Sequence, residues 1–200
     1  MIKVKDIEKL NGLYRISKDI HVNKNILFDY RLFKALTQPE ERDYKYDFDV
    51  YLEDYGINLQ RPYVWEHYQQ EEFIKTILLE KELEPVVIVD YCPDYNNRGN
   101  RIMYVIDGKQ RLMTIQKFVN NEFTVNINGQ DTYFKDFEPE LQHLFGSRVN
   151  YMTGTVYYSY PDTYVTDDMK IILFNFYNFA GTPQTEEHKN KLQSLINNKK

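Results

Sequence analysis

The chain has 200 residues, 42% hydrophobic and 16% aromatic, with a formal net charge of −5. This length fits one domain with an extension and buries about 70% of the unfolded surface; the apolar content excludes a disordered chain. The acidic balance excludes a broadly basic nucleic-acid-binding face, so any anion site must be a local cluster of cations.

In chain order, the opening from Met1 to Leu10 is charged and contains no apolar signal core. Residues 1–56 read as a tyrosine-rich N-terminal extension packed on the core, with a helix around Leu27–Leu36 and an acidic stretch, Glu40–Asp54. Within Gln60–Trp65, Pro62 forces the residue ahead of it into an extended conformation. From Glu66 to about Glu82, Phe73, Ile74, Ile77 and Leu78 fall on one helical face. Pro85 opens an apolar strand, Val86–Val89, and a polar loop, Asp94–Asn100, leads to a second strand, Arg101–Ile106. The helix that follows, about Gly108–Asn120, has Leu112, Ile115 and Val119 as its buried stripe.

Phe123–Ile127 with the Asn128-Gly129 turn reads as a hairpin. Next come a strand over Tyr151–Tyr160, a helix over Thr166–Phe179, a stop at Gly181 and Pro183, and a last helix over Thr185–Asn197. The sum is an α+β domain over residues 57–200, a small mixed sheet flanked by helices. No run of residues suits a membrane span, and the single cysteine, Cys92, excludes an internal disulfide and a cysteine-based zinc site. A soluble, cytoplasmic protein without a membrane partner is expected. Its 18 tyrosines are too many for a core to satisfy, so aromatic surface is available to bases, sugars or another protein.

The chemistry concentrates where Tyr104-Val105-Ile106 meets Asp107-Gly108-Lys109-Gln110-Arg111. A first helical turn carries unpaired N–H groups and favours acids, yet Lys109 and Arg111 sit there. In one reading Asp107 is the N-cap, Gly108 relieves a tight turn, Gln110 folds back as in a capping box, and both cations point into water. In the other, phosphate sits on the exposed amides and both cations clamp it. The second reading expects Arg111→Gln to leave the empty protein as stable as before or slightly more so. In the extended segment upstream, Arg61 and Tyr63 read as facing the pocket and Trp65 as packing back on its helix.

Other chemistry is thinner. His21, His67, His143 and His188 share no metal-binding spacing. Pro93-Asp94 with Asp107-Gly108-Lys109 formally matches a short, degenerate nuclease pattern in which two acids and a lysine hold Mg²⁺. Cys92 precedes a proline, with no visible cause for a low thiol pKa.

Residues Asp107-Gly108-Lys109-Gln110-Arg111-Leu112-Met113-Thr114-Ile115 resemble the Asp-Gly-Gln-Gln-Arg-Leu-Thr-Thr-Leu signature of the GmrSD N-terminal domain family, within the ParB/sulfiredoxin-like superfamily. Gln60–Trp65 resembles a second motif of that family, and Phe174–Pro183 its later asparagine–glycine–threonine–proline stretch; together the matches cover about residues 57–190.

The resemblance implies a ParB/sulfiredoxin-like fold that binds a nucleoside triphosphate with Mg²⁺ and hydrolyses it slowly. It also implies a role in restriction, anti-phage defence or counter-defence, with DNA or a separate nuclease subunit as a further partner. Carried over, Asp107 would orient a metal ion or water, Gly108 would let the backbone approach the phosphates, and Gln110 and Arg111 would contact them. Gln60 and Arg61 would line the same pocket. Asp107 and Gln110 are thus the catalytic candidates and Asp107 the metal ligand; Gln60, Arg61, Tyr63, Gly108, Lys109, Arg111 and Asn178 are the nucleotide-binding candidates.

Three positions depart from the family pattern: Lys109 stands for the first glutamine, Met113 for a threonine, and Leu59 for an aromatic residue. Members with a nuclease domain continue past the matched region. Two other readings stay open, a non-catalytic regulator that binds DNA or protein, and a Mg²⁺-dependent DNA nuclease.

Overall fold

The computed structural model describes residues 21–27, 31–38, 44–81, 83–91, 101–158 and 166–179. Its elements are β1 (His21–Leu27), α1 (Arg31–Thr37), β2 (Tyr44–Asp47), β3 (Tyr51–Leu52), β4 (Ile57–Asn58), α2 (His67–Leu78), β5 (Val86–Tyr91) and β6 (Arg101–Asp107). They continue with α3 (Lys109–Val119), β7 (Val125–Ile127), β8 (Gln130–Thr132), a single 3₁₀ turn (Phe134–Asp136), α4 (Pro139–Asn150), β9 (Thr153–Tyr158) and α5 (Asp167–Phe179).

The architecture is α+β, built on a mixed five-stranded sheet of order β1-β9-β5-β6-β2. β5 pairs parallel with β9 and antiparallel with β6; β1 joins β9 antiparallel, and β2 joins β6 parallel.

β5 explains why the sheet divides the molecule. Its run Val86-Val87-Ile88-Val89 is buried on both faces, as expected of a central strand covered on either side. Successive side chains point to opposite faces. Val86 and Ile88 therefore enter one core with Leu112, Ile115 and Phe118 of α3, whereas Val87 and Val89 enter a second with Ile171, Leu173 and Phe174 of α5. Helices α1 to α4 supply the first layer; α5 and the small β3–β4 hairpin supply the second.

Phe118 is the hub of the first layer. It is fully buried, and the rings of Phe123, Phe134, Phe137 and Phe145 lie at centroid distances of 5.5, 5.7, 5.6 and 5.7 Å. In the second layer Lys170 Nζ and Asp167 Oδ1 form a buried pair at 3.0 Å within the first turn of α5, and each also bonds the β3–β4 hairpin. Lys170 also donates to Tyr51 O and lies 4.0 Å from the Tyr104 ring centroid, and Asp167 Oδ2 accepts the Asp54 N–H.

The central strands, α2, α3, α5 and the hairpin lie where the sequence pattern places them. At the hairpin turn Asn128 and Gly129 both have positive φ, +54° and +86°, as that turn requires. The structure departs from that pattern in three places. The helix expected over Leu27–Leu36 is confined to α1, and β1 precedes it as a strand. The acidic stretch contains β2, an edge strand with one hydrogen-bonded neighbour. α4 adds a helix to the expected elements, with Pro139 in its first turn and Leu141, Phe145 and Val149 recurring every fourth residue. The segment around Cys92-Pro93-Asp94, Gly181, Pro183, His188 and the helix expected over Thr185–Asn197 lie outside the described residues.

Phe118→Ala removes the ring on which four others rest and should lower stability by about 3–5 kcal/mol, read from the urea midpoint.

Candidate functional site

Strand β6 delivers Asp107 to the sheet's end, and the turn into α3 is set by a contact that only glycine permits. Gly108 has φ +104°, and a Cβ there would lie 2.5 Å from Val86 Cγ1. The turn is thus pressed directly onto the start of β5. Leu112 is the first residue of α3 whose N–H closes a helical bond, to Gly108 O, so the N–H groups of Lys109, Gln110 and Arg111 lie ahead of the ladder.

Both cations of that turn have partners from the protein. Lys109 is buried, and its Nζ lies 2.5 Å from Asp49 Oδ1. Arg111 Nη2 bonds Asp107 Oδ2 at 2.9 Å and Pro85 O at 3.2 Å, while Nη1 donates to Glu84 O. The expectation that the two side chains point into water is therefore corrected. Burial pushes the Asp107 carboxyl above its ordinary value of 3.8, against the opposing pull of the Arg111 guanidinium and a bond from the Gly108 N–H.

The capping-box expectation is also corrected. The cap position of α3 is Gly108, not Asp107. Gln110 reaches away from its own helix: its Oε1 accepts from Val64 N and Trp65 N, and its Nε2 donates to Pro62 O. It acts as a peg for the segment that carries Arg61. Gln60 fastens the same segment to β6, donating to Val105 O and Ile106 O. Asn178, near the end of α5, donates to the same Ile106 O and to Phe174 O.

These anchors enclose a cleft of about 430 Å³. It brings together Asp107, Gly108, Lys109, Gln110 and Arg111 with Gln60, Arg61 and Asn178. Tyr63 is not among the lining residues; its hydroxyl lies 2.7 Å from Thr114 Oγ1 and its ring 5.4 Å from Lys117 Nζ. Trp65 packs on Phe73 as expected, at 5.4 Å, yet it also lines the cleft. Burial alternates through the segment, with Arg61, Tyr63 and Trp65 half-buried and Pro62 and Val64 exposed, but Tyr63 is drawn along α3 to Thr114 and Lys117 and so stays out of the cleft. Leu59 is fully buried in the second core and cannot serve as a cleft residue.

Three lining residues escaped sequence reasoning: Trp65, Glu84 and Tyr177. Glu84 immediately precedes the recognisable Pro85 strand start, and Tyr177 the matched Asn178, so adjacency was the only signal for either. Of the three cations that line the cleft, Arg61 alone has no hydrogen-bond or ion-pair partner among the described residues.

Residues 43–200 match the family model described as GmrSD restriction endonuclease, N-terminal domain. The chain belongs to this family. The match includes the whole of the cleft and begins just ahead of β2. No curated protein and no solved structure gives a significant match. Membership associates the chain with restriction systems and anti-phage defence.

Among the described residues, no group of three histidines, cysteines or acids could hold a metal ion, and no helix is long and apolar enough to cross a membrane. The carboxylates of Asp107 and Glu84 fit a different arrangement, an Mg²⁺ that arrives with phosphate oxygens and water and takes only one or two protein ligands. Of the nuclease pattern, Pro93-Asp94 lies outside the described residues, and Lys109 is engaged by Asp49.

Two measurements follow. Arg111→Gln breaks three charge-assisted contacts in a largely buried place and should lower stability by about 1.5–3 kcal/mol in urea denaturation, opposite to the expectation drawn from the helix dipole alone. Asp107 should give a pH signature. A carboxyl held above its ordinary value binds its proton more tightly in the folded state, so stability falls as pH rises from 3.8 through the raised folded value. Denaturation midpoints across that acid range should show the slope in the wild type and a shallower one in Asp107→Asn.

Proposed function

We propose that the cleft binds a nucleoside triphosphate with its Mg²⁺, and that the protein acts in this way within a restriction or anti-phage system. The observation that carries the reading is Arg61, a cleft cation with no partner among the described residues, close to a helix start whose first N–H groups are unbonded. Arg61 would bond the phosphates, and Gly108, lacking a side chain, would let the backbone N–H groups come close to them. Asp107, with Glu84 beside it, would hold Mg²⁺ through a carboxylate oxygen; the bound ion would supply charge neutralisation for the phosphates. Gln110 would act through the segment it pegs, keeping Arg61 in reach. DNA or a separate nuclease subunit would then respond to the loaded state.

One observation favours binding over rapid turnover. Lys109 and Arg111 are already engaged by Asp49 and Asp107, so less cationic charge is available to a transferring phosphoryl group than the sequence suggests. This supports slow hydrolysis at most, and equally a non-catalytic, nucleotide-responsive regulator.

Arg61→Ala should weaken nucleoside triphosphate binding by about 10- to 150-fold, the worth of a charge-assisted contact. Its melting temperature should stay near the wild-type value, because Arg61 has no partner to lose. Titration calorimetry with parallel melts checks both, and multiple-turnover phosphate release from the wild type separates an enzyme from a binder. Unchanged affinity in Arg61→Ala would remove the basis of the reading.

A further inference from the structure

Two side-chain amides in the cleft are oriented so that only their oxygens can meet a ligand. Gln60 Nε2 donates to Val105 O and Ile106 O at 2.8 and 2.9 Å. Asn178 Nδ2 donates to Ile106 O and Phe174 O at 3.0 and 3.1 Å. An amide NH₂ carries two hydrogens, and both are used in each case. Flipping either amide would set its oxygen against two carbonyl oxygens, so the neighbours fix the orientation. Both amide nitrogens meet at one carbonyl, that of Ile106, so the two amides converge there.

The remaining oxygens, Gln60 Oε1 and Asn178 Oδ1, accept nothing among the described residues, and neither is a buried atom without a partner. Both are therefore open to solvent, on side chains that line the cleft. A deprotonated phosphate presents acceptors only and finds no bond there. A group with two adjacent hydrogen donors does.

We propose that Gln60 and Asn178 form a subsite that reads paired hydrogen-bond donors on the nucleoside part of the ligand, while the phosphates lie toward Arg61. The proposal rests on the nucleotide reading above and moves Gln60 and Asn178 from phosphate contact to nucleoside selection. Paired donors come from two sources, the cis-diol of a ribose and the adjacent N–H groups of a guanine-type base edge. Aromatic lining suits either, since a nucleoside stacks on flat rings. Trp65 is held from behind by Phe73 at 5.4 Å, and the Tyr177 hydroxyl by that of Tyr157 at 2.6 Å.

The test titrates the full chain, with Mg²⁺ present, against GTP, inosine triphosphate, 2′-deoxy-GTP and inorganic tripolyphosphate. Inosine triphosphate lacks the base's exocyclic amino donor, and the deoxy analogue lacks one ribose donor. GTP should bind more tightly than tripolyphosphate, and one analogue should lose about tenfold: inosine triphosphate if the base edge is read, deoxy-GTP if the ribose is read. Gln60→Ala and Asn178→Ala should each reduce GTP affinity by a similar factor and leave tripolyphosphate affinity unchanged. Melting curves identify a variant that fails to fold, and the other variant then decides. Equal binding of GTP and both analogues would overturn the subsite, as would equal losses of GTP and tripolyphosphate affinity in the folded variants. So would loss of Mg²⁺ binding measured without nucleotide, which would make the two oxygens metal ligands. In each of these cases the nucleotide reading stands. If the wild type binds neither tripolyphosphate nor any nucleotide, both fail together.

Discussion

The close approach of Gly108 to Val86 determines where every other group of the cleft can stand. A Cβ at position 108 would lie 2.5 Å from a valine methyl, closer than atoms can come, so the turn from β6 into α3 rests directly on β5. β5 is buried on both faces and enters both cores. The turn is therefore supported by a strand packed on both sides; beside it, Gln60 and Asn178 are tied to the Ile106 carbonyl of β6, and Gln110 to the segment that carries Arg61. Side chains from three distant parts of the chain converge because Gln60 and Asn178 share the Ile106 carbonyl and Gln110 holds the segment that carries Gln60 and Arg61. Such a cleft is organised before a ligand arrives, which reduces the ordering that binding requires.

The two cations at the start of α3 serve this support. A buried ammonium without a partner would be strongly unfavourable, and Asp49 supplies the partner to Lys109. Arg111 ties the two chain segments that meet at the turn, bonding Asp107 on one side and the carbonyls of Glu84 and Pro85 on the other. The cost of placing positive charge near a helix N-terminus, about 0.3–1 kcal/mol each, is offset by these pairs. Their charge reaches a ligand only through shared or exchanged partners, which leaves Arg61 as the cation best placed to meet one.

How much of this was legible depended on whether the signal was local. Val86–Val89 announces a central strand by composition, Asn128-Gly129 a hairpin by backbone chemistry, and Leu112 with Ile115 a helix face by spacing. Strands β1 and β2 carry His-Val-Asn-Lys and Tyr-Lys-Tyr-Asp, polar patterns that suit an edge and resemble a loop; only their pairing to β9 and β6 makes them strands. Of the cleft, Asp107–Arg111 and Gln60-Arg61 could be read because they form dense motifs at element boundaries. The partners of the cations could not. Asp49 stands 60 positions from Lys109, and Glu84 is an ordinary acid ahead of a strand until the fold brings it to the turn. Sequence periodicity says which face a residue occupies, and it is silent on which distant carboxylate neutralises it.

The pair Lys170 and Asp167 leads to a distinction based on ionic strength. Their side chains are only 4% and 6% exposed, so mobile ions cannot come between them and salt leaves the pair nearly untouched. The attachment of α5 to the β3–β4 turn, and with it the position of Tyr177 and Asn178, is thus indifferent to the salt around the protein. Lys109 and Arg111 are themselves 6% and 12% exposed, but their partners Asp49 and Asp107 are 55% and 38% exposed, so those pairs feel salt more than the α5 pair does. An anion arriving at an open cleft meets its cation through solvent, where counterions compete with it. Raising salt therefore loosens what enters the cleft while leaving the wall built by α5 in place.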